Sequence, residues 1–205
     1  MVIHFNFKYL LINRWSLSIE IRWHGRGGQG VWTVSNLLAE AVIKEGKYAQ
    51  SFPTFGPERM GAPIAAFTRL ADEPIDIHSE VYEPDAVVVL DDSLVGSEDF
   101  TYGLKDGGIL LLNTGTHTGA RGVSKLTNYD LSRYKVYGVP ATEISIKFLR
   151  RAITNTAMLG ALIRVLPVVR LDTVIDVIRE RFKGPLAEAN VNVVRTAFEG
   201  VEYVA

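Results

Sequence analysis

Leu17, Ile19, Ile21 and Trp23 alternate with Ser18, Glu20 and Arg22, the period-2 signature of a strand with one apolar face. From Val31 to Lys44 the period changes. Val31, Val34, Leu38, Ala41 and Val42 fall on one helical face, and Gly46 marks the stop. Lys47–Phe52 reads as a second strand, so the first third is a strand, a glycine turn, a helix and a strand, a βαβ-like opening. Ser51–Pro63 holds three prolines and two glycines and reads as a loop. Ile64–Leu70 is a short strand, while Ala86–Leu90 and Ile109–Leu112 are apolar on both faces, as buried parallel strands are. Lys135–Val139 is the last strand of this pattern. Glu143–Arg151, Asn155–Val165, Asp172–Phe182 and Pro185–Glu199 then read as helices. Together these predict one α/β domain over residues 17–205. It is an open, mostly parallel sheet with helices on both faces and a helical C-terminal part. Residues 1–16 stand apart as an extension; Ile3, Phe5, Phe7 and Tyr9 alternate with polar residues, which suits an extra edge strand or a tail.

Composition narrows the chemistry. The chain has 205 residues and a net charge of −1, which gives no reason to expect nucleic acid as a partner. It contains no cysteine. That excludes a disulfide framework and any thiolate-held iron–sulfur cluster or zinc site on this chain, and it fits a reducing cytoplasm. The four histidines show no metal-ligand spacing. The apolar runs are far too short to cross a bilayer, so no membrane partner is expected. A mean hydropathy of +0.12 is high for a lone small domain and hints at buried subunit contacts.

The candidate chemistry lies in "HGRGGQG", His24–Gly30. Gly25, Gly27 and Gly30 fit G-x-G-x-x-G between a strand and a helix, and Gly28 adds a fourth glycine. Such a turn lets a ligand approach the backbone and presents the first N–H groups of a helix to an anion. A dinucleotide site also needs an acid about 20 residues on, for the ribose hydroxyl. Ala49-Gln50-Ser51-Phe52 offers none, which disfavours NAD, and no Gly-Lys-Ser/Thr follows the loop. What remains is a backbone nest for another phosphate, or for a partner's acidic or carbonyl groups; a plain tight turn is the alternative. Arg26 can reach whatever the loop holds, and an arginine fork suits phosphate. Gln29 can donate from the helix start. Arg59, in the proline loop, suits an anion contact or an inter-subunit pair, or else a local pair with Glu58. Asp91, Asp92 and Ser93 follow a buried strand, where a helix cap is favoured over a magnesium site. Asn113, Thr114 and Thr116 follow another and either line the same crevice or cap and turn. No catalytic triad and no carboxylate pair stands out.

"IEIRWHGRGGQGV" (Ile19–Val31), "FPTFGPERMGAP" (Phe52–Pro63), "AFTRL" (Ala66–Leu70) and "YEPDAVVVLDDSL" (Tyr82–Leu94) occur in this order. In this the chain, from about Leu17 onward, resembles the gamma subunits of the 2-oxoacid:ferredoxin oxidoreductase family, pyruvate:ferredoxin oxidoreductase in particular. Residues 1–16 are not covered, and Met60 stands where a second arginine is more usual. The resemblance implies one subunit of a cytoplasmic complex, inactive alone. Such complexes oxidatively decarboxylate a 2-oxoacid, reduce ferredoxin and release an acyl-CoA. Thiamine diphosphate, Mg and iron–sulfur clusters are then expected on alpha, beta and delta-type partner subunits only. This chain is expected to help bind coenzyme A through Gly25, Arg26, Gly27, Gly28, Gln29, Gly30 and Arg59, with no catalytic or metal-ligating residue. "NTAMLGAL" (Asn155–Leu162) also matches the family and suggests packing against a partner, with Gly160 and Ala161 admitting a close helix. Two rival readings stand beside it: a free-standing nucleotide-binding or regulatory module, and a gamma subunit shared with a branched-chain 2-oxoacid enzyme.

Overall fold

The structure, a computed structural model, describes residues 18–54, 60–95, 99–114 and 130–205. The extension 1–16 and the expected site residue Arg59 lie outside the described residues, as does Thr116. Among the described residues seven strands form one sheet: β1 (Ile19–Arg26), β2 (Tyr48–Pro53), β3 (Pro63–Ala71), β4 (Ala86–Val89), β5 (Ile109–Asn113), β6 (Lys135–Val139) and β7 (Glu202–Tyr203). The helices are α1 (Val31–Lys44), α2 (Ala141–Leu149), α3 (Asn155–Val165), α4 (Leu171–Arg181) and α5 (Pro185–Gly200). The order across the sheet is β2-β3-β1-β4-β5-β6-β7.

The expected open sheet is mostly parallel by strand direction. β1, β4, β5 and β6 pair in parallel, and β2 runs with them because β3 is antiparallel to both β1 and β2. Only β3 and the short β7 run the other way. The βαβ opening is thus modified. The chain returns from β2 directly into β3, which takes the place beside β1 that a simple βαβ unit gives to its second strand. Pairing of β1 with β3 continues to Arg26↔Pro63, so Gly25 and Arg26 belong to the strand end and not to the turn.

Alternation of side chains builds two apolar clusters. Ile21, Trp23, Ala86, Val88, Ile109 and Leu111 point to one face and pack with α1, α2, α3, α4 and α5. Val87, Val89, Leu110, Leu112 and Val136 point to the other, covered among the described residues by Leu94, Phe100 and Leu104. On that second face β1 carries Arg22 and His24. The Arg22 guanidinium, buried, donates to the carbonyls of Phe100 (2.9 Å) and Tyr102 (2.6 Å) and to His24 Nε2 (3.0 Å). Trp23 Nε1 finds Thr68 Oγ1 at 2.9 Å, so its indole donor is not stranded in the core.

Helix α3 is buried along Asn155–Ile163 on all sides, which an all-round apolar sequence requires. It lies between the sheet and α5. A β-carbon on Gly160 would stand 2.3 Å from the Val194 carbonyl oxygen of α5. The close helix that Gly160 admits is therefore the chain's own. "NTAMLGAL" is an internal packing segment, not a partner surface, and the burial of its leucines, about 1.5–3 kcal/mol each, explains it without one.

Candidate anion site at the glycine turn

The turn sits at the carboxyl end of β1, where the connection to α1 leaves toward one sheet edge and β4 lies toward the other. This reversal opens a crevice in open α/β sheets. Gly28 (φ 93°) and Gly30 (φ 74°) both occupy the left-handed region, so only glycine sits there without strain. Gly25 is bare for another reason: a β-carbon would meet Val31 Cγ2 at 2.5 Å. Gly27 N donates to the Ala62 carbonyl (2.9 Å), and Gly61 N donates to that of Gly27 (3.1 Å). The two motifs that stood apart in sequence, the glycine turn and the end of the proline loop, are thus laced together.

Gln29 and Arg26 knit the crevice. Gln29 Oε1 accepts from Arg26 N (2.8 Å), while its Nε2 donates to Asp91 Oδ2 (2.6 Å). The Arg26 guanidinium donates to Ser93 Oγ (2.9 and 3.1 Å) and to the Gly61 carbonyl (3.1 Å), and stands 3.4 Å from Asp91 Oδ2. Burial pushes the Asp91 carboxyl up, but hydrogen bonds from Ser93 and Gln29 and the charge of Arg26 outweigh it and hold it below the usual carboxylate range. Asp91 also caps the 3-10 turn Asp92–Leu94 through Ser93 N (2.9 Å). The capping expected of this acid is found, with a second task added: it balances Arg26.

On the helical side of the turn, Gly28, Gln29 and Gly30 wall a cleft of about 660 Å³. Thr33, Arg151, Asn155, Arg181, Phe182 and Leu186 are among its other walls. Three helices begin around it. α1 starts with no side-chain cap and no acid in its first turn; α3 starts at Asn155, again with no acid; α5 starts at Pro185 and has Glu188 in its first turn. The cleft wall includes two arginines and no carboxylate. Chemically this is a place for an anion with an apolar portion, since uncapped N–H groups and helix dipoles favour negative charge. Sequence reading brought out the glycines but missed Arg151 and Arg181, which reach the cleft only because α2, α4 and α5 fold back over the turn. Asn155 carried a signal, its place at the start of a predicted helix. Among the described residues no cluster of three or more metal-ligating side chains occurs.

The profile of pyruvate ferredoxin/flavodoxin oxidoreductase matches residues 20–200. The pyruvate/ketoisovalerate oxidoreductases common subunit gamma of Thermococcus kodakarensis is 49% identical over 180 residues, 88% of this chain and 95% of that protein. Pyruvate synthase subunit PorC of Methanothermobacter marburgensis is 45% identical over 186 residues, 90% of this chain and 98% of that protein. The crystal structure of pyruvate oxidoreductase subunit PorC from Thermotoga maritima superposes with a TM-score of 0.79 at 39% identity, covering 92% of this chain and 99% of that one. The glycine turn, the sheet around it and these likenesses over nearly the whole chain agree: the protein belongs to the pyruvate ferredoxin/flavodoxin oxidoreductase family, as a gamma-type subunit of an oxidoreductase.

Proposed function

We propose that this chain is the gamma subunit of a multisubunit pyruvate synthase. In that complex pyruvate and coenzyme A become acetyl-CoA and CO2 as ferredoxin is reduced, and this chain supplies part of the coenzyme A site and of the subunit contacts. The observation that carries the coenzyme A reading is the start of α1. Its first N–H groups have no side-chain cap, and two left-handed glycines lead into it beside the cleft. Gly27, Gly28 and Gly30 are proposed to keep the backbone approachable, Gly25 lets Val31 close against the strand end that precedes them, Gln29 fixes the turn, and Arg26 adds positive charge at its edge. Arg59 is proposed to join them from the proline loop. Coenzyme A, when bound, supplies the thiol that accepts the acyl group; its phosphates are what these residues would hold. The iron–sulfur clusters are assigned to alpha, beta and delta-type partners, since no cysteine is available here to ligate them, and thiamine diphosphate and Mg are assigned to those partners with them. Exposed Trp32 and Met60, 51% and 88% accessible beside the turn, are suited to a partner surface. We place the complex in the cytoplasm. The Thermococcus relative's name joins pyruvate with ketoisovalerate, which favours a gamma subunit shared between two enzymes as the second reading.

The test is Arg26→Gln in the assembled complex. A charge-assisted contact is worth about 1.5–3 kcal/mol, or roughly ten- to a hundred-fold in affinity. Asp91 already balances part of this charge, so the lower end is expected: KM for coenzyme A rises about tenfold. Decarboxylation measured without coenzyme A stays intact. Dissociation of the complex with unchanged coenzyme A kinetics would assign the turn to a protein partner instead.

A further inference from the structure

We infer that the loops 72–85 and 99–105 form a protein-docking surface at the end of the sheet opposite the glycine turn, with Ile77, Tyr82 and Tyr102 as its apolar anchors, and that it takes a basic face of a partner subunit. Its placement follows from the strands. β3 pairs with β1 from Arg26↔Pro63, beside the glycine turn, to Ile19↔Leu70 at the far end. Residues 72–85 connect that far end to the start of β4. Ile77, Tyr82 and Tyr102 are 45%, 63% and 71% exposed. One exposed apolar side chain is ordinary on any surface; three on loops that are fixed to each other and to the sheet are not.

Two buried arginines do the fixing. Arg69, 1% exposed, donates to the carbonyls of Ile77 (3.3 Å) and Ser79 (3.1 Å) and to Glu20 Oε1 (2.6 Å), while Gln50 Nε2 donates to the carbonyl of Ile75 (3.0 Å). Arg22 holds the carbonyls of Phe100 and Tyr102. The pairs Glu20↔Arg69 and Arg22↔Phe67 place both arginines on adjacent strands, so the loop segments they hold are neighbours. The loops also meet directly. Lys105 N donates to the Pro84 carbonyl (3.1 Å), and a β-carbon on Gly103 (φ 73°) would stand 2.0 Å from the Tyr82 carbonyl oxygen. Side chains on a backbone held this way lose less freedom on docking, and tyrosine offers a large contact area with few rotatable bonds.

Charge says what docks. Residues 72–85 contain Asp72, Glu73, Asp76, Glu80, Glu83 and Asp85, and no lysine or arginine. Lys47 pairs with Asp72 (3.2 Å) and Lys105 with Asp85 (2.7 Å). Glu73, Asp76, Glu80 and Glu83 have no ion pair among the described residues. The surface around the anchors is therefore negative, and its complement carries lysine or arginine around an apolar centre. A second copy docked about a twofold axis would set acid against acid. That the basic face belongs to a partner subunit rests on the reading of this chain as one subunit of a complex.

The test adds the full chain back to a complex depleted of it and reads the chain concentration that half-restores acetyl-CoA formation. Tyr82→Ala and Tyr102→Ala should each raise that concentration about tenfold, as loss of an aromatic anchor does. Tyr82→Phe, which keeps the ring, should restore like the wild type. Glu80→Lys combined with Glu83→Lys should raise it at least tenfold. Added salt should raise the wild-type concentration and leave that of the charge-reversed chain nearly unmoved. Every one of these side chains is exposed, so the Tm holds, and at saturating chain KM for coenzyme A is unchanged because the glycine turn lies at the other end of the sheet. Alanine and charge-reversed variants that restore at the wild-type concentration overturn the proposal and leave the subunit reading standing. Variants that alter only self-association of the chain, read by sedimentation velocity, assign the surface to a second copy and overturn it as well. A wild-type chain that restores nothing overturns the subunit reading and this surface with it.

Discussion

A methyl group at Gly30 and one at Gly46 meet different fates, although both glycines have left-handed backbones, φ 74° and 81°. Around Gly46 nothing lies within 4 Å of an added β-carbon, so Gly46→Ala pays only the left-handed penalty, about 1 kcal/mol. At Gly30 the same penalty is joined by the Asn155 amide at 2.5 Å, and Gly30→Ala should cost about 1–3 kcal/mol more than Gly46→Ala. Paired urea midpoints check this; equal losses would show that the amide moves aside freely. His24 sets a second residue-scale expectation. Burial first, and then the charge of Arg22, lowers its pKa from 6.5 to about 4. The folded state therefore refuses a proton that the unfolded chain accepts. Stability from this group is full above about pH 6.5 and is lost as pH falls toward about 4. Discounted for partial exposure, the loss is on the order of 2–3 kcal/mol. His24→Gln, which cannot titrate, should flatten that part of the pH profile of unfolding relative to the wild type. A wild-type slope retained in the variant would assign it to carboxylates.

At the scale of elements, α3 decides between two opposed effects of one substitution. Gly160→Ala improves helix propensity by about 1 kcal/mol. It also drives a β-carbon to 2.3 Å from the backbone oxygen of Val194, which cannot rotate away, so α5 must shift. Overpacking of this kind costs about 1–3 kcal/mol, and net destabilisation with a lower Tm is expected. The elements themselves were legible where one periodicity ran unbroken. α1 and α3 begin and end where their apolar faces and flanking polar residues place them, and β4 and β5 show the two-sided apolar runs of central strands. What the pattern did not carry was order. β3 between β1 and β2 follows from pairing that a local window does not see, and the two-residue β7 is too short for any period. The site divides likewise. Glycines are readable because their need is local, a left-handed φ or a tight approach. Asp91 against Arg26, and Arg151 with Arg181 at one cleft, are 65 and 30 residues apart in sequence and meet only through the fold.

For the whole molecule the governing fact is what this chain lacks the chemistry to do by itself. Two electrons leave a 2-oxoacid when it is decarboxylated oxidatively, and they need a carrier. The sequence has no cysteine to ligate an iron–sulfur cluster, and among the described residues no group of histidines and carboxylates gathers to hold a metal. What it does have is a cleft beside the glycine turn, walled by Arg151 and Arg181 and by no carboxylate, with exposed Trp32 and Met60 close to the turn. Such a body suits a subunit that positions one substrate at the edge of a site completed by others. The purified chain is therefore expected to be colourless, with no visible absorption and no iron, and to show no turnover with pyruvate, coenzyme A and ferredoxin. From native extract it should elute with larger partner chains and not near its own 22.7 kDa. Adding it back to a complex depleted of this subunit should restore acetyl-CoA formation, and Trp32→Glu, a charge placed on the exposed apolar surface and outside the cleft wall, should impair that restoration at limiting chain concentration while leaving the Tm unchanged. Iron bound in stoichiometric amount, or turnover by the chain alone, would overturn this division of labour.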